Sequence, residues 1–465
     1  MYLQIDKQDE TRTAVIEDTG NTYTFGDLKA FAGEFGEWIP ARKLIFILCQ
    51  NTMGAIAAHI ASIENRIVPL MISCHMDAAL RDHLIETYHP EYLWAPEWMA
   101  ADLGGEALAR KYEYVLIKTE YTSPELYEDL AMLLTTSGST GSPKLVRHCY
   151  RNLYANAQNV AAFFGFTPED RPLIDLQLHY TMGLNVACSN LYAGATLVMT
   201  TLNAMQKRYW DYFSEQRVTN ITGVPYNYEI LKKLKFFRKD WPDLRILAEG
   251  GGRLTDDLFR EVAAYARDHG KQFFATFGTS ETTARLAYLN PEYALERTGS
   301  IGKAIPNGRL SLIDDEGNEI EETEATGEMV YQGENVTLGY AICAEDLAKG
   351  DERHGIYRTG DLAQRDKDGF YYIIGRKSRF LKLYGYRVGL DESERLIRKE
   401  FEIECACAGD DKRMVIYITK PGMETEIRRF IAEKTKILVS AFEVRVIPEI
   451  PKNEVGKILY SKLGQ

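Results

Sequence analysis

The segment Leu134–Lys144 (LTTSGSTGSPK) carries the groups that a polyphosphate requires. Glycine lets the backbone approach a ligand closely, hydroxyl groups donate hydrogen bonds, and a lysine supplies positive charge. We therefore interpret the segment as a phosphate-binding loop, with a solvated linker between strand and helix as the alternative. The candidate phosphate ligands are Thr136, Ser137, Gly138, Ser139, Thr140, Gly141 and Lys144.

The flanking residues predict a strand over Leu130–Leu134 and a helix over Asn152–Phe164, which this loop would connect. In P-loop phosphotransferases, a glycine precedes the lysine and a serine or threonine follows it at the start of a helix. Here Pro143 precedes Lys144 and Leu145 follows it. A P-loop phosphotransferase is therefore disfavoured, and formation of ADP as the product would identify one.

The 465 residues carry a net charge of −12, and 45% of them are hydrophobic. A chain of this length has ample core, so we expect more than one domain. An acidic chain does not favour a nucleic-acid partner, because such a surface needs clustered lysine and arginine. The seven cysteines lack the paired spacing of a zinc site, and we expect them to be reduced thiols.

The first ten residues lack the basic start and the apolar core of a signal peptide. The longest aliphatic stretch, around Leu44–Cys49, is far too short to span a bilayer. We therefore expect a cytoplasmic protein without membrane attachment.

Apolar strands alternate with amphipathic helical stretches through about the first 300 residues, for example Lys43–Cys49 followed by Met53–Glu64. This pattern predicts layered α/β subdomains. From about Gly299, turn residues between alternating strands predict a β-rich subdomain. Beyond Ser378, separate strand and helix signals predict a small, mobile α+β lid. The predicted domains are residues 1–377 and 378–465.

Five further motifs follow the loop in chain order, at Leu244–Leu254, Thr276–Glu281, Tyr357–Asp361, Gly369–Arg387 and Ile450–Lys457. With the loop, they make the chain from about Tyr23 onward resemble the acyl-adenylate-forming, or AMP-binding, superfamily. That superfamily includes acyl- and aryl-CoA synthetases, nonribosomal peptide adenylation domains and luciferases.

The resemblance implies an ATP site in which the loop holds the β- and γ-phosphates and a glycine turn lines the adenine and acyl pocket. Phe277 would lie against adenine, and Ser280 would bond the α-phosphate; the family usually has tyrosine and threonine there. Asp361 would accept hydrogen bonds from both ribose hydroxyls, with Arg376 beside it. The implied nucleotide-binding residues are Thr136, Ser137, Gly138, Ser139, Thr140, Gly141, Gly250, Gly251, Gly252, Phe277, Gly278, Ser280, Asp361 and Arg376.

The resemblance also implies the groups that compensate charge. Glu281 would coordinate Mg²⁺ between phosphate oxygens. Lys457 would be the catalytic cation, because an ammonium beside the α-phosphate stabilises the growing negative charge of the transition state. Ser280 and Lys144 complete the implied catalytic set, whereas Lys452 is expected to be an ordinary surface charge.

A mobile lid is implied as well, turning about Ser378, where the family usually has aspartate. After the lid rotates, its loop would enter the site and line the tunnel for a thiol, since Lys457 and this loop cannot occupy one site together. The implied tunnel residues are Lys382, Gly385, Tyr386 and Arg387.

The acyl pocket is expected near His179 and Tyr180, where amino-acid-activating members carry an aspartate. Without a carboxylate there to neutralise an α-ammonium group, an amino-acid substrate is disfavoured, and an aryl or aliphatic acid is expected. For Tyr180, ordinary core packing is the alternative. The expected pocket residues are Tyr180, Gly223, Val224, Pro225, Tyr226 and Thr279.

The implied reaction joins a carboxylic acid to a thiol at the expense of ATP, through an acyl-adenylate and pyrophosphate. The thiol would be CoA or the phosphopantetheine of a discrete carrier protein, and the protein would be a monomer or homodimer. Unusual residues at Leu145, Ser378 and Tyr460 leave a catalytically impaired nucleotide-binding protein as an alternative, beside an amino-acid-activating enzyme.

Overall fold

A computed structural model describes residues 1–135, 144–377, 379–384, 386–453 and 456–463, without the side chain of Arg387. The predicted loop residues 136–141, and also Ser378 and Gly385, lie outside the described residues. Within the described ranges, no helix has both the length and the apolar character needed to cross a membrane.

An eight-stranded mixed sheet forms the first layer, and the predicted strand Leu44–Cys49 lies near its centre with every residue buried. Successive side chains alternate between two cores: Ile45 and Ile47 pack with the helix Met53–Glu64, and Phe46 packs on the opposite face. This alternation is the two-residue period of a strand covered on both faces. In spatial order the strands are Gly339–Ala341, Leu145–Cys149, Leu130–Thr135, Val68–Ser73, Leu44–Cys49, Tyr92–Pro96, Tyr114–Lys118 and Glu106–Lys111.

The connection after Lys144 differs from the expectation. A strand, Leu145–Cys149, begins directly after Lys144, and the expected helix follows it at Tyr150–Phe164. Thr135 pairs with Leu145 in antiparallel register. The predicted phosphate loop therefore joins two neighbouring strands rather than a strand and a helix.

A five-stranded sheet forms the second layer and has three parallel strands at one side. Leu247 and Phe273 face the helix Asp256–Asp268, whereas Ile246 and Phe274 face the helix Tyr150–Phe164. Helices on both faces are the arrangement that the α/β pattern predicted. The strands are Asn220–Gly223, Ile246–Glu249, Gln272–Phe277, Ala287–Leu289 and Lys303–Ala304.

A smaller four-stranded sheet consists of Leu173–Ile174, Leu197–Met199, Thr13–Glu17 and Thr22–Thr24. The other α-helices described before residue 378 are Phe25–Trp38, Ala78–Tyr88, Ala100–Leu103, Thr181–Tyr192, Lys207–Glu215 and Pro225–Lys233.

The predicted β-rich subdomain is an antiparallel sheet with its own core, which includes Leu312, Met329 and Tyr331. Its strands are Arg309–Ile313, Ala325–Gln332, Ile356–Arg365 and Tyr371–Arg376.

The C-terminal part also packs around its own core, which Ile397, Ile416 and Ile427 help to form. This part is α+β, as the sequence predicted, but the domain limit itself stays a prediction because Ser378 is outside the described residues. Its strands and helices are Phe380–Leu383, Tyr386–Gly389, Leu390–Phe401, Cys405–Asp410, Arg413–Ile418, Glu424–Thr435 and Phe442–Val446.

Candidate active site

Three predicted segments meet at the carboxyl edge of the second sheet. The parallel strands are in register there, with Gly223 beside Glu249 and Glu249 beside Ala275. Ligands of open α/β sheets bind at the carboxyl ends of such strands. The segments that follow these ends are Gly223–Pro225, Gly250–Gly252 and Phe277–Glu281.

The glycine turn lies directly against the predicted pocket residues. Gly251 has φ of +78°, which favours glycine, and a Cβ there would lie 3.3 Å from Val224 Cγ1. A Cβ at Gly252 would lie 2.9 Å from Pro225 Cγ. A Cβ at Gly278 would overlap the carbonyl oxygen of Ala284. Glycine is therefore required here by close packing.

Tyr226 is more exposed than the predicted pocket residues that precede it in the chain. The helix Pro225–Lys233 begins beside it and buries Val224 and Tyr228. Tyr226 projects outward instead, with 46% of its surface exposed.

Tyr180 lies at the start of the helix Thr181–Tyr192 and is half-buried, with its ring centroid 4.2 Å from that of His179. The next residue, Thr181, places its hydroxyl oxygen 2.6 Å from that of Ser280. The segment that carries Tyr180 is therefore joined to the predicted α-phosphate contact. Thr279 precedes Ser280 and is half-buried at the start of a short 3₁₀ turn.

Glu281 is held by a tyrosine that sequence reasoning missed. The hydroxyl of Tyr340 donates to Glu281 Oε1 at 2.5 Å, and Lys144 Nζ lies 4.5 Å from the centroid of the Tyr340 ring. Burial, and secondarily the charge of Glu281, raise the pKa of Tyr340 to about 12. The phenol thus stays protonated as a donor. No local signal marks Tyr340, because 59 residues separate it from Glu281.

Asp361 and Arg376 are opposite each other on paired antiparallel strands. Arg376 Nε donates to Asp361 Oδ1 at 3.3 Å, and Asp361 is buried. Burial raises the pKa of the Asp361 carboxyl, while Arg376 opposes that shift. These two residues, which the family resemblance implies at one ribose, are thus brought together by the sheet, and their role at a ribose stays a prediction.

Lys457 lies near Arg376, Glu281 and Asp361, which all affect the pKa of its amine, and the space among these four residues is the cleft of the candidate site. Burial by the surrounding protein is the main cause that lowers its pKa, and Arg376 lowers it further, whereas Glu281 and Asp361 raise it. The amine therefore lies in the electrostatic field of Arg376, Glu281 and Asp361. The side chain of Lys457 nevertheless remains accessible to solvent.

A tight turn fixes the backbone of Lys457. Its amide N–H donates to Asn453 Oδ1 at 2.9 Å, and its carbonyl oxygen accepts from the Asn453 amide at 2.9 Å. Gly456 has φ of +76°, and a Cβ there would lie 2.9 Å from Tyr226 Cβ. The outward position of Tyr226 therefore provides a seat for the turn. Sequence reasoning singled out neither Asn453 nor this contact.

The predicted tunnel residues that the structure describes lie on the C-terminal part of the protein. Lys382 and Tyr386 are exposed on a hairpin whose inner residues Leu381 and Val388 belong to the C-terminal core. The backbone N–H of Lys382 donates to Asp411 Oδ1 at 2.8 Å. The structure thus has Lys457 at the cleft while the described part of the hairpin packs within the lid. Lys452 pairs with Glu404, also in the C-terminal part.

The acidic residues of the candidate site fit a Mg²⁺ ion that binds together with a phosphate ligand better than a metal ion held by protein side chains alone. In the described ranges, no cluster of three or more His, Cys, Asp or Glu could hold a metal ion. Glu281 offers a half-buried carboxylate beside the cleft. Mg²⁺ is commonly held by one or two carboxylates together with substrate phosphates, so Glu281 fits that ion.

We predict that Tyr340→Phe weakens binding of MgATP about fivefold, because Glu281 loses a hydrogen bond worth about 1 kcal/mol. Calorimetric titration with MgATP measures this affinity. Tyr88→Phe is the matched control, since Tyr88 is buried and donates to the carbonyl oxygen of Ala341 at 3.0 Å. Equal loss of affinity in both variants would contradict the role given to Tyr340.

Comparison with known proteins agrees with this geometry. Residues 4–341 match the family model of the AMP-binding enzymes. The chain is 29% identical over 359 residues to the 2-succinylbenzoate–CoA ligase of Bacillus velezensis, covering 74% of this chain and 70% of that protein. It is 28% identical over 349 residues to the indoleacetate–CoA ligase of Aromatoleum aromaticum, covering 70% and 65%.

A solved structure of O-succinylbenzoate coenzyme A synthetase from Bacillus subtilis, in complex with ATP and magnesium ion, has a similar fold. The TM-score is 0.81 at 23% identity, and the match covers 100% of this chain and 98% of the other. The predicted fold class, a large layered α/β domain with a smaller C-terminal domain, is thereby confirmed. The family match spans more than half of the chain, and this protein therefore belongs to the family of AMP-binding enzymes.

Proposed function

We propose that this protein is an AMP-forming acid–CoA ligase that uses ATP and Mg²⁺. The observation that carries the proposal is the convergence of Lys457, Glu281, Asp361 and Arg376 on one cleft. Relatives named as ligases of 2-succinylbenzoate and of indoleacetate support both the reaction and CoA as the acceptor. A carrier-protein acceptor and a cytoplasmic location stay predictions.

In the first half-reaction, an oxygen of the substrate carboxylate attacks the α-phosphorus of ATP. A bond forms between this oxygen and phosphorus, and the bond from phosphorus to pyrophosphate breaks. Negative charge grows on the α-phosphate oxygens, and Lys457 and Ser280 stabilise it there more strongly than in the ground state. Lys144 would lie with the leaving pyrophosphate.

Glu281 would hold Mg²⁺, which supplies charge compensation for the phosphates. Tyr340 orients that carboxylate through its hydroxyl. Asp361 is held beside Arg376 and would accept hydrogen bonds from the two ribose hydroxyls. Its two carboxylate oxygens suit this role because each can accept one O–H donor. These residues position the nucleotide, so that the reacting atoms meet in a favourable orientation.

In the second half-reaction, the thiol of CoA attacks the acyl carbon and AMP leaves. We propose that the lid then turns near Ser378 and exchanges the Lys457 turn for the hairpin with Lys382, Gly385, Tyr386 and Arg387. The contact of Gly456 with Tyr226 would be broken in that rotation. Such lid motions commonly complete an active site for one step at a time.

The proposal is tested by exchange of labelled pyrophosphate into ATP in the presence of a panel of carboxylic acids. We expect exchange that depends on the acid, and AMP as the nucleotide product once CoA is added. Absence of exchange with every acid would favour the impaired nucleotide-binding protein, and ADP formation would favour a phosphotransferase.

We predict that Lys457→Ala lowers the exchange rate by about 100-fold, the lower range for removing a group that stabilises transition-state charge. Transfer to CoA from a supplied acyl-adenylate should be largely retained, because Lys457 acts in only one lid position. Lys452→Ala is the control, since that lysine belongs to the same motif but pairs with Glu404. Equal losses in both half-reactions would contradict the assignment.

We predict that Gly456→Ala lowers pyrophosphate exchange about tenfold more than Gly422→Ala does, a difference of about 1.4 kcal/mol. Both glycines have positive φ, so both alanines carry the same kind of backbone strain. Only at Gly456 would the Cβ meet Tyr226, whereas nothing lies within 4 Å of a Cβ at Gly422. Similar exchange rates in the two variants would show that docking of the turn on Tyr226 is unimportant.

A further inference from the structure

Two arginines with almost no exposed surface differ in how their guanidinium groups are satisfied. Arg147 donates to three backbone carbonyl groups and to the carboxylate of Glu352. Arg285 is only 2% exposed, yet its Nε and Nη2 have no hydrogen-bond partner among the described residues. A buried cation without such partners is unfavourable, so this arrangement needs an explanation.

Arg285 lies at the carboxyl edge that forms the candidate site. Its Nη1 donates to Thr276 Oγ1 and lies 3.5 Å from Met182 Sδ. A Cβ at Gly250 would lie 2.6 Å from the same nitrogen. Met182 also lines the glycine turn, since its Cε would be 3.7 Å from a Cβ at Gly251. The guanidinium therefore lies beneath the glycine turn, next to the expected acyl pocket.

The unused nitrogens of Arg285 have a specific geometry. Nε and Nη2 form one edge of the planar guanidinium, and their two N–H groups point in parallel. This edge matches the two oxygens of a carboxylate, which it can bind in a bidentate manner. Nη1, on the other edge, is the nitrogen already used by Thr276.

Glu249 is the other charged group beside this site, and it is 4% exposed. Its Oε1 also lacks a hydrogen-bond partner among the described residues. Burial raises the pKa of Glu249 to about 8, against the opposing effect of Arg285. Burial thus disfavours the charged form of the Glu249 carboxyl, so Glu249 compensates the charge of Arg285 less than a solvated carboxylate would.

We propose that the acid activated by this protein carries a second carboxylate, which Arg285 binds through Nε and Nη2 beneath the glycine turn. This inference rests on the proposed ligase function and narrows its substrate class to dicarboxylic acids. Arg285 is then a specificity-determining residue that binds the unreactive end of the substrate. The reactive carboxylate stays at the α-phosphate side of the pocket, near Ser280 and Lys457.

The test uses pairs of acids that differ only at the second carboxyl group: aryl and aliphatic dicarboxylic acids, and their distal monomethyl esters. Pyrophosphate exchange gives kcat/KM for each. We expect at least one diacid to exceed its ester by tenfold or more in the wild type, and Arg285→Met to lower that diacid to the level of the ester. Arg285→Lys, which keeps the charge without the bidentate edge, should retain an intermediate preference.

Equal kcat/KM values for diacid and ester in every pair would overturn the inference. So would an equal relative loss of kcat/KM for both acids in Arg285→Met. A melting-temperature measurement keeps this test separate from that of the ligase function. A diacid should raise the melting temperature of the wild type more than its ester does, and this difference should vanish in Arg285→Met even if no exchange occurs. Equal shifts by diacid and ester in the wild type would again overturn it.

The melting temperature of the ligand-free Arg285→Met variant distinguishes substrate binding by Arg285 from a purely structural role. If the guanidinium only supported the fold, Arg285→Met would lower the melting temperature as Arg147→Met is expected to do. We expect Arg285→Met to melt at or above the wild-type temperature, because it removes a buried charge of which two nitrogens have no partner among the described residues. A loss as large as that of Arg147→Met would contradict the inference.

Discussion

The site depends on where one cation, Lys457, is placed. Lys457 lies beside another cation, Arg376, and also within the field of Glu281 and Asp361. Without the carboxylates, two cations in a partly desolvated cleft would repel each other; without the cations, two carboxylates would repel the triphosphate. In the proposed reaction, this mixture of charges would let Lys457 respond to the negative charge that develops on the α-phosphate. Under the same proposal, the arrangement exists only while the lid holds the lysine at the cleft.

Each of these charges is fixed by a different kind of support. Asp361 and Arg376 are paired by the register of two antiparallel strands, so their separation follows from the sheet. Glu281 sits on a short turn and depends on a hydrogen bond from Tyr340. Lys457 depends on the turn held by Asn453 and seated on Tyr226. Under the proposed function, the sheet would therefore define the ribose end of the site, whereas the reacting end would be assembled by contacts that a lid could make and break.

The contrast between what the sequence predicted and what it missed follows from the range of the interactions. The strand Leu44–Cys49, the helix Met53–Glu64 and the glycine turn were predictable, because local periodicity and residue type determine them. The motif residues were predicted as a set because together they resemble the motifs of a known family in the same order. Tyr340 was not, because its role is created by a partner in another segment.

The same reason explains two further differences. The segment Leu145–Cys149 is a strand because it pairs with the neighbouring strand Leu130–Thr135. It is too short for its hydrophobic periodicity to predict a strand from sequence. Tyr226 was grouped with its neighbours in sequence, but at the start of the helix Pro225–Lys233 it is exposed, whereas Val224 and Tyr228 are buried. Neighbours in sequence can therefore face different parts of the site, and only the backbone conformation decides which.

Arg147 and Arg285 also differ through their partners in other segments of the chain. Nothing in the types of these residues distinguishes them, and both are buried. Arg147 is satisfied by the protein itself, so its burial is accounted for within the fold. Arg285 has an edge of two donors without a partner in the part of the chain that the structure describes, beside a carboxyl group whose charged form burial disfavours. In the proposal, the second carboxylate of the substrate would complete this edge, and the position of Arg285 beneath the glycine turn would place that carboxylate next to the expected acyl pocket.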